Sequence, residues 1–188
     1  MNSYKLSEIT EIITGYTFRS AIEPSIHGNY RVIQAKDITN DLEITGDNLT
    51  KTNLDKASIN TIINNNDVIL TSRGRFKAAV VNSHEPMIAS SSVYILRVKN
   101  QEIDAHYLAI YLNSFQGQTQ ISKLISGNYI KSIPKFNLTS LNIPVPSVLE
   151  QKNIVKLCQN INHQQKLLKR KIEVISNISQ NSLIKILN

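Results

Sequence analysis

Two arginines separated by one glycine, Arg73-Gly74-Arg75, form the densest chemical feature of this chain of 188 residues. They follow Thr71 and Ser72 and precede Lys77, in a stretch (NDVILTSRGRFK, residues 66–77) that begins as a nearly continuous apolar run, the pattern of a buried strand. A strand ending in a tight turn would hold two guanidinium groups and two hydroxyls together. A guanidinium can bond a guanine edge bidentately or grip a phosphate, and a hydroxyl can bond either. The competing reading is an ordinary hairpin turn with solvated arginines. A second stretch, Gly127-Asn128-Tyr129-Ile130-Lys131, followed by Lys135, offers a backbone that can be approached closely, an amide suited to adenine, and bases. Its competing reading is a helix ended by Gly127. Near the start, Gly15 and Tyr16 lead into Thr17, Phe18 and Arg19, an aromatic and basic loop.

Catalysis has no comparable foothold. The single Cys158 and the four scattered histidines, His27, His84, His106 and His163, lack metal-ligand spacing. There is no GxxxxGK[ST] and no GxGxxG after a strand, so a nucleotide or S-adenosylmethionine site has no support. Glu150-Gln151-Lys152 has the E-x-K half of a metal-dependent nuclease site, but Glu150 is better used as a helix cap and no carboxylate is placed to join it. The expectation is a binding protein with no catalytic residue, metal or cofactor.

Charge points the same way. Of the net +7, residues 147–188 hold seven bases and two acids, whereas residues 1–146 hold fourteen bases and twelve acids. No acid lies between Asp67 and Glu85, where Arg73, Arg75 and Lys77 sit, nor between Asp104 and Glu150, where Lys123, Lys131 and Lys135 sit. Acids gather at Asp37, Asp41, Glu43, Asp47 and Asp55 instead. Segregated signs of this kind fit a polyanion partner. No apolar run reaches 18 residues and the start, MNSYKLSEIT, has no hydrophobic signal segment, so the expectation is a cytoplasmic protein with no membrane partner.

The elements that position these residues read as an α+β domain over residues 1–146. Residues 4–13 fit a helical turn running into a strand. Strands are expected at 30–36, 67–72, 77–83 and 92–98, too closely linked for parallel crossovers, so the sheet should be mainly antiparallel. A short helix is expected over 54–63 and a turn at Asn64-Asn65-Asn66. From Asp104, as N-cap, a helix should place Tyr107, Leu108, Tyr111, Leu112 and Phe115 on one face, with a second helix over 118–125. Residues 136–146 carry a last turn and a short strand.

Residues 147–188 contain no Gly or Pro and open with Ser147 and Glu150 spaced as a capping box, marking one long helix. Apolar residues recur at Ile154, Leu157/Cys158, Ile161, Leu168, Ile172, Ile175, Ile178, Leu183 and Ile186, a stripe of period near 3.5 broken at Gln164 and Gln165. At about 1.5 Å per residue this helix runs roughly 60 Å, too long for its own domain to cover. A partner helix is expected, and the alternative is a helix folded back on the domain.

Several stretches together resemble a known family, the DNA specificity subunits of type I restriction-modification systems. They are KLSEITEIITGYTFR, NNDVILTSRG, the passage SGNYIKSIPKFNLTSLNIPVPSVLEQKNIV, and the helix after it. The resemblance covers nearly the whole chain, and the third passage is its most specific part. It implies a target-recognition domain followed by a coiled-coil spacer helix, double-stranded DNA as ligand, and partners that supply the chemistry: a methylation subunit and, in a complete system, a restriction subunit. Members usually carry two such domains and two antiparallel helices. One of each here implies a half-subunit that homodimerises. A coiled-coil adaptor that binds only proteins, or a solitary nuclease or methyltransferase component, are the competing functions.

Overall fold

The computed structural model describes residues 2–39, 42–54, 61–99, 102–127 and 131–187, with side chains of the last helix described through residue 179. The chain divides into two compact units, Met1–Lys152 and Asn153–Asn188.

The described residues of the first unit form three sheets. The largest contains β2 (Thr10–Thr14), β4 (Glu43–Ile44), β6 (Val68–Thr71), β7 (Ala78–Val81) and β9 (Val93–Val98), in the order β2-β9-β6-β7-β4. Every residue of β6 and β7 is buried, as the unbroken apolar runs of these strands require. A second sheet has the order β5-β3-β8, from β3 (Tyr30–Ile33), β5 (Thr50–Thr52) and β8 (Met87–Ala89). β1 (Asn2–Lys5) pairs antiparallel with β10 (Asn142–Val145), tying the start of the unit to its end. Between β1 and β2 lies the single helical turn α1 (Leu6–Ile9).

Among the named strands of the described residues antiparallel pairing dominates, with two exceptions: β4 runs parallel to β7, and β3 parallel to β8. Both pairs join strands separated by far more than the dozen or so residues that a parallel crossover needs. β8 has no counterpart in the sequence reading, because three residues are too few to show a period. The helix expected over 54–63 lies mostly outside the described residues, and its end departs from helix: Ile62 bridges Ile88, and the Ile63 N–H donates to the Met87 carbonyl at 3.0 Å. The expected Asn turn is present, with Asn66 at φ 67°. Main-sheet side chains Ile13, Ile69, Ala79, Val81 and Ile95 share one core with Ile33, Met87 and Ala89 of the smaller sheet.

Asp104 caps α2 (Ala105–Asn113) by accepting the N–H groups of His106 and Tyr107 at 2.8 and 3.1 Å. Tyr107, Leu108, Tyr111 and Leu112 are buried as their spacing requires, but Phe115 is 87% exposed. The reason is local: the Ser114 hydroxyl accepts the Gly117 N–H at 3.1 Å and starts a new helix, α3 (Phe115–Ser122), so Phe115 leaves the face of α2. α3 thus begins and ends three residues earlier than expected, and Gly127 does not cap it. A five-residue helix, α4 (Lys135–Thr139), replaces the expected turn before β10.

α5 (Val148–Leu187) begins at the anticipated cap, where the Ser147 N–H and hydroxyl donate to Glu150 Oε2 at 2.9 and 2.7 Å. These bonds to its ionised form hold the Glu150 carboxyl below its ordinary value. The first turn belongs to the first unit because Gln151 is buried: its Oε1 accepts the Asp104 N–H at 2.8 Å, and its Nε2 donates to the carbonyls of Glu102 and Pro146 at 2.7 and 2.9 Å. In the second unit the helix carries Ile161, Leu168, Ile172, Ile175 and Ile178 exposed, and Ile154 half-buried. The side chains of Leu183 and Ile186 lie outside the described residues.

Candidate nucleic-acid interface

Strand register brings three distant segments to one end of the main sheet. Thr71, the last residue of β6, pairs with Val93, and Thr14, the last of β2, pairs with Tyr94. The exits of β2 and β6 and the entry to β9 are therefore neighbours. Backbone bonds fasten them: the Tyr16 N–H donates to the Ala89 carbonyl at 2.7 Å, the Ser91 N–H to the Tyr16 carbonyl at 2.8 Å, and the Ser72 N–H to the Ser92 carbonyl at 2.9 Å. Gly15 makes this approach possible, since a Cβ there would lie 2.1 Å from the Ser90 carbonyl oxygen. Beyond it the rings of Tyr16 and Phe18 meet edge to face, 4.9 Å between centroids, with Thr17 and Arg19 exposed.

The turn between β6 and β7 is braced from within. Thr71 Oγ1 donates to the Arg75 carbonyl at 2.5 Å and accepts the Lys77 N–H at 2.9 Å, and Ser72 Oγ donates to the Ser91 carbonyl at 3.3 Å. Thr71 and Ser72 are buried, so these two hydroxyls shape the turn instead of facing a ligand. Gly74 takes φ +78° with open space where a side chain would start, so its backbone conformation and not its surroundings favours glycine. Arg73 and Arg75 stand exposed on either side of it, and Lys77 is half-buried.

The two basic stretches form a single surface. The Gly74 N–H donates to the Lys131 carbonyl at 2.9 Å, Arg73 pairs antiparallel with Ser132, and the Ile133 N–H donates to the Ser72 carbonyl at 3.0 Å. Ser126 and Ser132 exchange backbone bonds at 2.9 and 3.0 Å and close the loop that contains Gly127, at φ +96°. Asn128 and Tyr129 lie outside the described residues. Tyr94 adds a buried strut, its hydroxyl donating to the Ile133 carbonyl at 2.7 Å. Burial pushes this phenol above its ordinary pKa, against the opposing pull of the Arg73 charge, so it stays a donor at neutral pH. Lys131 and Lys135 are exposed, and among the described residues no carboxylate pairs with either of them, or with Arg73, Arg75 or Lys77.

Two supports were not legible beforehand. Asn113, at the end of α2, accepts the Ala78 N–H through Oδ1 at 2.9 Å and donates from Nδ2 to the Ala78 carbonyl at 2.7 Å. Gln118 donates from Nε2 to the carbonyls of Phe76 and Leu112 at 2.8 and 2.6 Å. Both amides fix the far side of the arginine turn. Ser91 is a further exposed hydroxyl beside it. A polar residue in a helix or a serine run gave no sign of these roles.

The chain belongs to the family of type I restriction modification DNA specificity domains, whose family model matches residues 1–177. Its fold is similar to that of the HsdS subunit of Thermoanaerobacter tengcongensis, with TM-score 0.63 and 23% identity over 90% of this chain and 39% of that one. It is similar, too, to a chain from a study of complex assembly and conformational transition in the type I R-M system, with TM-score 0.66 and 21% identity over 90% and 40% of the two chains. The type I S subunit from M. genitalium gives TM-score 0.60 and 17% identity over 92% and 42%. The chain thus spans about two fifths of the length of these structures. No curated protein sequence matches it.

Proposed function

We propose that this chain is a sequence-specific, non-catalytic DNA-binding unit of a type I restriction-modification system, acting in the cytoplasm. The observation that carries the reading is the union of exposed Arg73, Gly74 and Arg75 with Lys131, from two stretches without acids, in a chain of the DNA specificity family. Arginines on a braced turn suit base edges, and the surrounding lysines suit phosphates. Methylation and restriction subunits would supply the chemistry. The exposed apolar stripe of α5 supports a homodimer, a half-subunit whose two copies read a bipartite, palindromic site. Selection of bound sequences from a random duplex pool tests the reading directly: enrichment of one inverted motif supports it. Failure to retain any duplex at low salt would leave the adaptor function, with the stripe binding protein alone.

A further inference from the structure

We propose that Phe136 is a DNA-deforming wedge, inserted between stacked base pairs beside the segment held by the arginine turn; this rests on the DNA-binding reading above. Phe136 is 84% exposed, although a phenyl ring in water contributes nothing to the fold. Its helix, α4, is anchored by Leu138, which is fully buried where α4 packs on α1 and β2. Two residues apart on a helix is about 200° of rotation, so the packing that buries Leu138 turns Phe136 outward.

The position of α4 then decides what Phe136 meets. Gly74 is bonded to Lys131, and Ser72 to Ile133, only a few residues before Phe136. Five residues past Lys131 span at most roughly 18 Å, which bounds how far Phe136 lies from the arginine turn. Pro134, with φ −62°, sets the entry to α4, and Asn137 Nδ2 donates to the Leu124 carbonyl at 3.1 Å, fixing the next residue. Phe136 is therefore a large apolar group on a short, anchored helix that begins with exposed Lys135, in a stretch that also holds exposed Lys131 and no acids. Lys135 beside it in the sequence and Lys131 five residues before it supply exposed cations that can hold phosphates while an apolar side chain enters the duplex.

The experiment uses the full chain and a duplex bearing its selected site, with aminopurine placed at successive steps as a fluorescent reporter of unstacking. Wild type should raise the fluorescence at one step. Phe136→Ala should abolish that signal and weaken binding about tenfold without changing the salt dependence of affinity, because the lost contact is not ionic. Phe136→Trp should keep both. Lys135→Gln should instead lower the slope of log K against log salt by about 0.9. Phe115→Ala, which removes an equally exposed ring, should leave the signal intact. The wedge is overturned if Phe136→Ala binds like wild type with the same fluorescence, or if it loses only its association with a methylation subunit. Wild type that binds duplex in those cases keeps the DNA-binding reading. Wild type that binds no duplex overturns both.

Discussion

The Gly74 N–H and the Lys131 carbonyl, 57 residues apart in sequence, meet at 2.9 Å. That bond and the Arg73–Ser132 bridge join the arginine turn to the second basic stretch. Both groups are backbone, so the contact does not depend on the Lys131 side chain, whereas position 74 keeps its glycine for the φ of +78°.

Arg73 and Arg75 are expected to differ in kind if one reads a base and the other a phosphate. Alanine at a base-reading arginine should cost about 1–3 kcal/mol and relax preference at one position, whereas alanine at a phosphate contact should weaken all sequences alike and lower the salt slope by about one. Competition binding with singly altered duplexes separates these outcomes. Unchanged affinity in both variants would move the site elsewhere on the unit.

The stripe of α5 predicts a homodimer. Replacing Ile161 and Ile175 with Asp would bury unpaired charge in the paired state and should give monomers. Light scattering at micromolar concentration checks this, and a monomeric wild type would refute it.

Incubated alone with DNA, magnesium, ATP and S-adenosylmethionine, the chain should neither cut nor methylate. Activity should appear once methylation and restriction subunits are added. Turnover by the chain alone, abolished by a point change within it, would overturn the non-catalytic reading.

If the helices pair antiparallel, helix length sets the distance between half-sites. One heptad inserted after Gln165 preserves the phase of the stripe and lengthens the spacer by roughly 10 Å, about three base pairs. The preferred unread gap should widen by that amount in binding selections. A parallel pair would leave the gap unchanged.

Gln151 closes the first unit over the start of α5. Gln151→Ala removes three hydrogen bonds at a site that is 1% exposed and leaves the Asp104 N–H and two carbonyls without this partner, so it should cost about 1–3 kcal/mol. Thermal denaturation of the first unit should shift down by several degrees. An unchanged midpoint would show that water replaces the amide at no cost.

Local chemistry was legible from the sequence alone. The apolar run before Arg73 defined β6, because a strand buried on both faces has no polar positions to alternate. Asp104, Ser147 and Glu150 defined helix starts, because capping bonds reach only two or three residues along the chain. The period of residues 147–188 and their lack of Gly and Pro defined one long helix, which the structure carries from Val148 to Leu187. Distance in space was not legible. Only the tertiary structure decided that Lys131 lies against Gly74, that Asn113 and Gln118 hold the arginine turn, and that Thr71 and Ser72 face inward. Such contacts depend on strand order and register, which no residue type encodes by itself. Phe115 shows the same limit within a single helix face: one serine cap redirected the chain and exposed a ring whose spacing had placed it in the core.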